Sequence, residues 1–177
     1  IALRGTFQGM NRIITAQNVY HPGRDGVVYF PIGDNIHDTY RSGIDATDGT
    51  PVVNYGNYGI LYQINIPTAG RGQTRYFLSP LGGVYAGAVR AASGTKSLLV
   101  ETPSLRPYFG DQTRPEPAQV AQAREEGLLL LTEYTELADL GTYPSYQPVQ
   151  FEYSPPGASN LPVNIILMPD KQHDSRR

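Results

Sequence analysis

The chain has 177 residues, of which 14 are Lys or Arg and 16 are Asp or Glu, and its formal net charge is −2 at pH 7. It contains no cysteine, which excludes disulfide bonds, thiolate zinc sites and thiol catalysis. Its longest basic run is Arg176–Arg177, so the sequence lacks the basic patch expected of a nucleic-acid-binding protein. No apolar run reaches the roughly 20 residues that span a bilayer, and we therefore predict no transmembrane segment.

Glycine (19 residues), proline (15) and tyrosine (13) are all frequent, whereas charged residues make up only 17% of the chain. This composition favours many short strands joined by tight turns over a bundle of helices. A turn is predicted at 21–26, where Asp25-Gly26 supplies the positive φ that hairpins need. Strands are predicted at 1–7, 11–19, 27–32, 58–66, 74–78, 84–91, 97–101, 127–136, 148–153 and 161–168.

The segment 58–66 carries the clearest alternation of apolar and polar residues. Five large side chains share one face of it and are predicted to be core: Tyr58, Ile60, Tyr62, Ile64 and Ile66. We expect 74–78 to be its antiparallel partner. Residues 115–126 combine good helix formers with prolines only in the first turn, which predicts one short surface helix.

These elements predict a mainly β fold. The expected architecture is an antiparallel β-sandwich, or a partly closed barrel, of nine to ten short strands with one short surface helix. We expect a single domain over residues 1–169, followed by a polar C-terminal tail at 170–177.

Residues 33–50 form a predicted loop that is rich in Asp and in turn-forming residues. Its four candidate metal ligands are Asp34, Asp38, Asp45 and Asp48. Calcium takes about six to eight oxygen ligands in flexible geometry, and loops between strands commonly supply them, so a calcium site is one hypothesis. The spacing does not match the EF-hand pattern, and the alternative is that these residues form Asx turns.

The remaining candidate constellations are weaker. His21, His37 and His173 have no close mutual spacing and are better explained as surface residues than as transition-metal ligands. No Ser lies in a G-x-S-x-G elbow, and no P-loop or dinucleotide fingerprint is present. We therefore predict that the protein is not an enzyme and takes no cofactor besides the calcium considered above. A hydrolase that combines a His with a carboxylate in one pocket is the outlying alternative.

Several tyrosines concentrate near the Asp-rich loop: Tyr20, Tyr40, Tyr55, Tyr58 and Tyr62. Aromatic platforms hold sugar rings in carbohydrate-binding modules, but tyrosine is also an ordinary strand residue that packs well across strands. We favour core packing for these residues.

A set of short motifs resembles a group of secreted bacterial proteins. The motifs are LRGTF at 3–7, GDN at 33–35, GIDATDG at 43–49, GNYG at 56–59, PLGGVYAG at 80–87 and SNLPVN at 159–164. These largely uncharacterised Gram-positive proteins often carry a copper amine oxidase N-terminal-like domain, and a similar GNYG strand occurs in exported cyanobacterial proteins of unknown function. The resemblance implies export and a β-rich module at the cell surface, and it transfers no catalytic residue.

The sequence thus favours a non-enzymatic extracellular module of the cell surface with a structural or adhesive role. Its first strand could complete the sheet of a neighbouring copy through Ile1, Leu3, Thr6 and Phe7, and repetition of that contact would build a filament or layer. The alternative is a calcium- or polysaccharide-binding module of the cell envelope. The expected partners are further copies of the chain or other cell-surface components, and not nucleic acid.

Overall fold

The computed structural model describes residues 5–7, 9, 11–80, 84–85, 87–102, 108–109, 138–156 and 162–170. Within them lies one single-turn helix, α1 (Pro22–Asp25). The strands in chain order are β1 Thr6–Phe7, β2 Asn11–Thr15, β3 Val28–Ile32, β4 Arg41–Ile44, β5 Pro51–Asn54, β6 Leu61–Ile66, β7 Gln73–Pro80, β8 Val84–Tyr85, β9 Gly87–Ser93, β10 Lys96–Thr102, β11 Tyr108–Phe109, β12 Ala138–Pro144, β13 Val149–Tyr153 and β14 Val163–Pro169.

Two large sheets form the body of the fold. The five-stranded sheet has the order β10-β9-β13-β6-β2, and the four-stranded sheet has the order β12-β7-β14-β3. All pairs in them are antiparallel except β2 with β6, which is parallel. Two small sheets, β1-β4-β5 and β11-β8, complete the described strands. The predicted mainly β sandwich is confirmed, and no sheet closes into a barrel within the described residues.

The main hydrophobic core lies between the facing sides of the two large sheets. In β6 apolar and polar residues alternate, so every second side chain points into this core and the intervening ones point outward. β13 shows the same alternation. The five-stranded sheet supplies Tyr62, Ile64, Ile66, Val89, Ala91, Val149, Phe151 and Tyr153, and the four-stranded sheet supplies Ile32, Tyr76, Leu78, Leu140, Val163, Ile165 and Leu167. The rings of Tyr76 and Phe151 join the sheets edge to face, with centroids 5.3 Å apart.

The four-stranded sheet is apolar on its outer side as well. Strand β14 is buried at all positions but its last, because its sequence is apolar almost continuously rather than in alternation. Its outward residues Ile166 and Met168 form a second buried cluster with Phe77 of β7, against which Val27 and Tyr29 pack. Both faces of this sheet therefore contribute to the buried interior.

Most predicted strands are present with shifted ends. The segments predicted at 11–19, 27–32, 97–101, 148–153 and 161–168 correspond to β2, β3, β10, β13 and β14. In the segment 58–66, Ile60, Tyr62, Ile64 and Ile66 are buried as predicted. Tyr58 is only half-buried and the strand starts at Leu61, because Asn57 (φ 49°) and Gly59 (φ 73°) form a turn ahead of it.

The predicted pairing of 74–78 with 58–66 is wrong. Strand β7 lies between β12 and β14 in the four-stranded sheet, whereas β6 pairs with β13 and β2. The chain crosses between the sheets from Pro67 to Gly72, and the Gly72 carbonyl accepts a hydrogen bond from the Ser145 amide at 3.0 Å. A short Gly-rich turn can connect two sheets as well as two strands of a hairpin, so the turn alone did not distinguish these arrangements. Because β6 and β7 belong to different sheets, they face each other across the core.

Two other connections differ from prediction. The turn at 21–26 is the one-turn helix α1, which is followed by Gly26 (φ 64°). It connects β2 and β3, which belong to different sheets, and so does not form a hairpin. The loop predicted at 33–50 contains β4, which pairs with β5. Neither β4, β5 nor β12 was expected, because Gly, Asn, Asp and Pro in these strands lower the β-propensity.

Some predicted elements lie outside the described residues. They are the helix at 115–126, the strand at 127–136, most of the first strand at 1–7 and all but Asp170 of the tail. Within the described part of the chain, no helical segment has the length and apolar character that a membrane span requires.

Candidate functional site

The four predicted ligand residues lie in two separate turns. Asp34 and Asp38 precede β4, and Asp45 and Asp48 follow it. The strand between them has four residues and so spans about 13 Å. Among the described residues, no three His, Asp or Glu side chains are grouped so that they could hold a metal ion. Calcium binding therefore stays a prediction, and each of these carboxylates has another partner.

Asp34 closes the first turn. Its Oδ1 accepts hydrogen bonds from the amides of Ile36, His37 and Asp38 at 3.0, 2.8 and 2.9 Å. Its Oδ2 lies 2.7 Å from His37 Nδ1. Desolvation opposes ionisation of Asp34, but these hydrogen bonds outweigh it and hold its pKa at about 2. This is the Asx-type arrangement that the sequence left open as the alternative to a metal site.

The second turn, between β4 and β5, is built in the same way. The buried Asp45 accepts a hydrogen bond from the Thr47 amide at 2.8 Å. Asp48 Oδ1 accepts from the hydroxyl and the amide of Thr50 at 2.6 and 2.9 Å, and these bonds lower the pKa of Asp48. Both carboxylates thus stabilise the reversal of the chain.

Asp38 differs from the other three because it turns into the protein. It is 5% exposed and forms an ion pair with Arg12 of β2. Its Oδ2 accepts hydrogen bonds from the Tyr62 hydroxyl of β6 at 2.7 Å and from the Gly33 amide at 2.6 Å. Burial and the neighbouring Asp38 raise the pKa of Tyr62, so its hydroxyl remains protonated and donates.

Asn57 extends this polar network. It is fully buried, and its amide nitrogen donates to the Tyr62 hydroxyl at 2.6 Å and to the Thr39 carbonyl at 3.2 Å. Its Oδ1 accepts from the Arg41 amide at 2.8 Å. The network therefore fastens the turn before β4 to the end of the five-stranded sheet. One signal in the sequence could have revealed it, since Arg12 occupies an inward position of β2 and a charge there needs a partner.

Among the residues that the structure describes, the histidines and tyrosines do not assemble a site. His37 contacts Asp34, the His21 amide donates to Asp25, and His173 lies outside the described residues. Tyr20 and Tyr62 are buried in the core, as the packing hypothesis predicted. For Tyr55 the core-packing prediction is wrong, because its side chain is exposed and packs edge-on against Tyr40 at the surface, with ring centroids 5.9 Å apart.

The N-terminal strand is paired within its own chain where it is described. Thr6 and Phe7 of β1 lie opposite Ile44 and Gly43 of β4. A Cβ at Gly43 would come within 2.5 Å of the Phe7 ring, so this close approach requires glycine. Ile1 and Leu3, the other two predicted interface residues, lie outside the described residues.

The edge strand β10 is the most exposed strand of the sandwich. It pairs with β9 over seven consecutive residues without a register shift, and no described strand pairs with its other side. Leu98 points to the inner side of the sheet and Leu99 to the outer side, yet they are 44% and 68% exposed. An edge strand that is regular, free of Pro and Gly, and apolar on both faces is a template for another strand. We refer to Lys96–Thr102 as the β10 edge.

The other three edges of the large sheets carry features that hinder strand addition. Edge strand β3 contains Pro31, which has no amide hydrogen to donate. Edge strand β12 has a register shift between Asp139 and Gly141. At edge strand β2 the carbonyl of Asn11 accepts a hydrogen bond from the Arg41 guanidinium at 3.3 Å. The β10 edge is therefore the best candidate for an interaction site in the described sheets.

Comparisons of the chain with protein-family models, with curated proteins and with solved structures gave no match. The resemblance to secreted bacterial proteins therefore stays a prediction.

Proposed function

We propose that the protein is a non-enzymatic structural or adhesive module that associates with a second copy of itself through the β10 edge. The observation that carries this proposal is the exposure of Leu98 and Leu99 on opposite faces of a regular edge strand. Burying both leucines and pairing the strand would remove exposed apolar surface and satisfy main-chain groups together. A location at the cell surface belongs to the same proposal and rests on the resemblance alone.

The sequence of β10 suits antiparallel pairing with itself. A two-fold axis perpendicular to the sheet keeps the faces of the two sheets continuous, so residues that point the same way must lie opposite each other. Centring the pair on Leu99 places Leu99 opposite its counterpart and Leu98 opposite Val100 of the second copy. Ser97 then lies opposite Glu101, and no like charges face each other. The two five-stranded sheets would become one sheet of ten strands.

This contact is closed, because each copy uses the same edge once. Growth into a filament or layer would need a second contact, and the N-terminal residues Ile1 and Leu3 remain the candidates for it. Deletion of residues 1–7 would then leave dimers and abolish longer assemblies, as seen by electron microscopy. Loss of the dimer itself after this deletion would contradict the assignment to β10.

The test of the β10 contact is the molar mass of the protein in solution. Size-exclusion chromatography with light scattering over a dilution series should show a dimer for the natural chain. Leu99→Lys should give a monomer with an unchanged circular dichroism spectrum, because it places two positive charges opposite each other at the two-fold axis.

Ile13→Lys is the matched control. Ile13 lies on the same outer face, is also 68% exposed, and belongs to the opposite edge strand, β2. This variant should remain dimeric. A natural chain that is monomeric throughout the dilution series, or a dimer that Ile13→Lys breaks and Leu99→Lys preserves, would overturn the proposal.

A further inference from the structure

The outer face of the five-stranded sheet carries its side chains in rows that cross all five strands. One row consists of Ser97, Ala92, Gln150, Asn65 and Thr15, which lie opposite one another from β10 to β2. The next row consists of Leu99, Arg90, Glu152, Gln63 and Ile13. Neighbouring strands are about 4.8 Å apart, so each row is roughly 19 Å long. All of these side chains are exposed or half-buried.

Hydrogen bonds across the strands hold the polar groups of these rows in place. Gln150 Nε2 donates to Asn65 Oδ1 at 2.9 Å, and Asn65 Nδ2 donates to Thr15 Oγ1 at 3.3 Å. The Arg90 guanidinium of the next row donates to Glu152 of the same row at 3.1 Å and to Ser97 of the first row at 3.2 Å. A side-chain amide has two donor hydrogens and an acceptor oxygen with two lone pairs. The amides of Gln150 and Asn65 thus keep donors and acceptors for a ligand while their orientations are fixed.

The character of this face selects the kind of ligand. Its two central charges, Arg90 and Glu152, neutralise each other, so it offers no site for a polyanion such as nucleic acid. Its large exposed apolar side chains do not form a central cluster: Ile13 and Leu99 stand at opposite margins, and Leu61 lies at the first position of β6. Protein interfaces, in contrast, place apolar anchors at the centre. The only other charge on the described part of this face is the exposed Glu101 at the β10 margin, which also repels anions. A ligand that matches a surface of amides and hydroxyls with little net charge is itself uncharged and rich in hydroxyl groups.

We propose that this face binds an extended, neutral polysaccharide whose hydroxyl groups bond to Gln150, Asn65, Gln63 and Thr15. The rows provide repeated donor and acceptor pairs along a line, as a polymer of sugar units does. The inference goes beyond self-association and does not depend on it, because the face is complete within one copy of the chain.

Affinity electrophoresis of the full chain through native gels tests the proposal. The gels contain a neutral polysaccharide (hydroxyethylcellulose, laminarin or glucomannan) or the acidic polygalacturonate. We expect retardation in at least one neutral gel and less in the acidic gel. The double variant Asn65→Ala/Gln150→Ala should weaken the apparent affinity by about tenfold or more, since each lost hydrogen bond typically changes an equilibrium several-fold.

Two further variants keep the outcome interpretable. Gln73→Ala removes an amide from the four-stranded sheet and should migrate like the natural chain. Gln63→Ala removes an amide from the other row and serves if the double variant does not fold. Absence of retardation in every neutral gel, or retardation that the face variants leave unchanged, would overturn the proposal. Leu99→Lys separates the two proposals, because it should abolish dimers and still be retarded as a monomer.

Discussion

The outer faces of the two large sheets differ in both burial and polarity. On the four-stranded sheet the outward side chains Phe77, Ile166 and Met168 are buried and apolar. On the five-stranded sheet most outward side chains, such as Asn65 and Gln150, are polar and accessible. Burial of apolar area stabilises a fold, whereas exposed and oriented polar groups contribute little to stability and can bind. The difference therefore assigns stability to the outer face of the four-stranded sheet, and the outer face of the five-stranded sheet is the one that we propose for binding.

The largest change in the free energy of unfolding is expected when an isoleucine on each of the two outer faces is replaced by alanine. Ile166→Ala should lower the free energy of unfolding by about 3 kcal/mol, because Ile166 is fully buried and the substitution leaves a cavity. Ile13→Ala, at an exposed position of the five-stranded sheet, should change it by less than about 0.5 kcal/mol. Urea denaturation of both variants measures the difference. Equal losses would show that the two outer faces do not divide the roles in this way.

A smaller change in the free energy of unfolding is expected from a substitution in the polar network of Arg12, Asp38 and Tyr62 at the end of the five-stranded sheet. Asp38→Asn should lower the free energy of unfolding by about 2 kcal/mol, because Arg12 loses its buried ionic partner while one acceptor oxygen remains. Asp48→Asn, in an exposed turn, should change it far less. The same denaturation experiment compares them. A loss for Asp48→Asn that matches the loss for Asp38→Asn would remove the distinction between network and turn.

The smallest effect is expected from titration of Asp34. Its pKa in the folded chain, about 2, lies below the usual value near 4, so the unfolded chain takes up the proton first as the pH falls. The resulting stabilisation is complete above pH ~5 and should decline by about 1 to 2 kcal/mol towards pH ~2. Thermal unfolding of the natural chain and of Asp34→Asn over this range isolates the contribution as a difference. Curves that remain parallel would contradict it.

The sequence predicted the fold class and the strands with a clear pattern. Strand β6 alternates, so one face of it was expected to be buried, and β14 lies in the segment predicted as a strand at 161–168. It did not predict β4 or β12, because Gly in β4 and Asp, Gly and Pro in β12 lower the β-propensity. Strand β12 pairs with β7, which is distant along the chain, whereas β4 pairs with the nearby β5. The sequence could not identify the strand that pairs with β6. A hydrophobic face is buried equally well by a strand of the opposite sheet, so the pattern of β7 did not show in which sheet it lies.

For the candidate sites, too, the sequence revealed the features that depend on neighbouring residues and missed those that depend on distant ones. The Asp-rich segment was recognised from composition, and the Asx-turn reading of Asp34 follows from local spacing alone. The role of Asp38 depends on Arg12 and Tyr62, which lie more than twenty positions away in the chain. Neither the β10 edge nor the amide rows had a signature in the sequence, since strand order and register decide which residues become neighbours.

The sequence by itself determined that this chain forms a cysteine-free, strand-rich domain whose alternating segments bury one face. Composition and periodicity act locally, and these properties need no knowledge of distant contacts. Only the tertiary structure decided which strand stands at an exposed edge and which outer face is covered. It also brought Arg12, Asp38 and Tyr62 into one buried network. Each of these features depends on pairing between remote segments. Contacts among several strands of the assembled sheets stabilise such pairings, and no single strand contains the information that selects them.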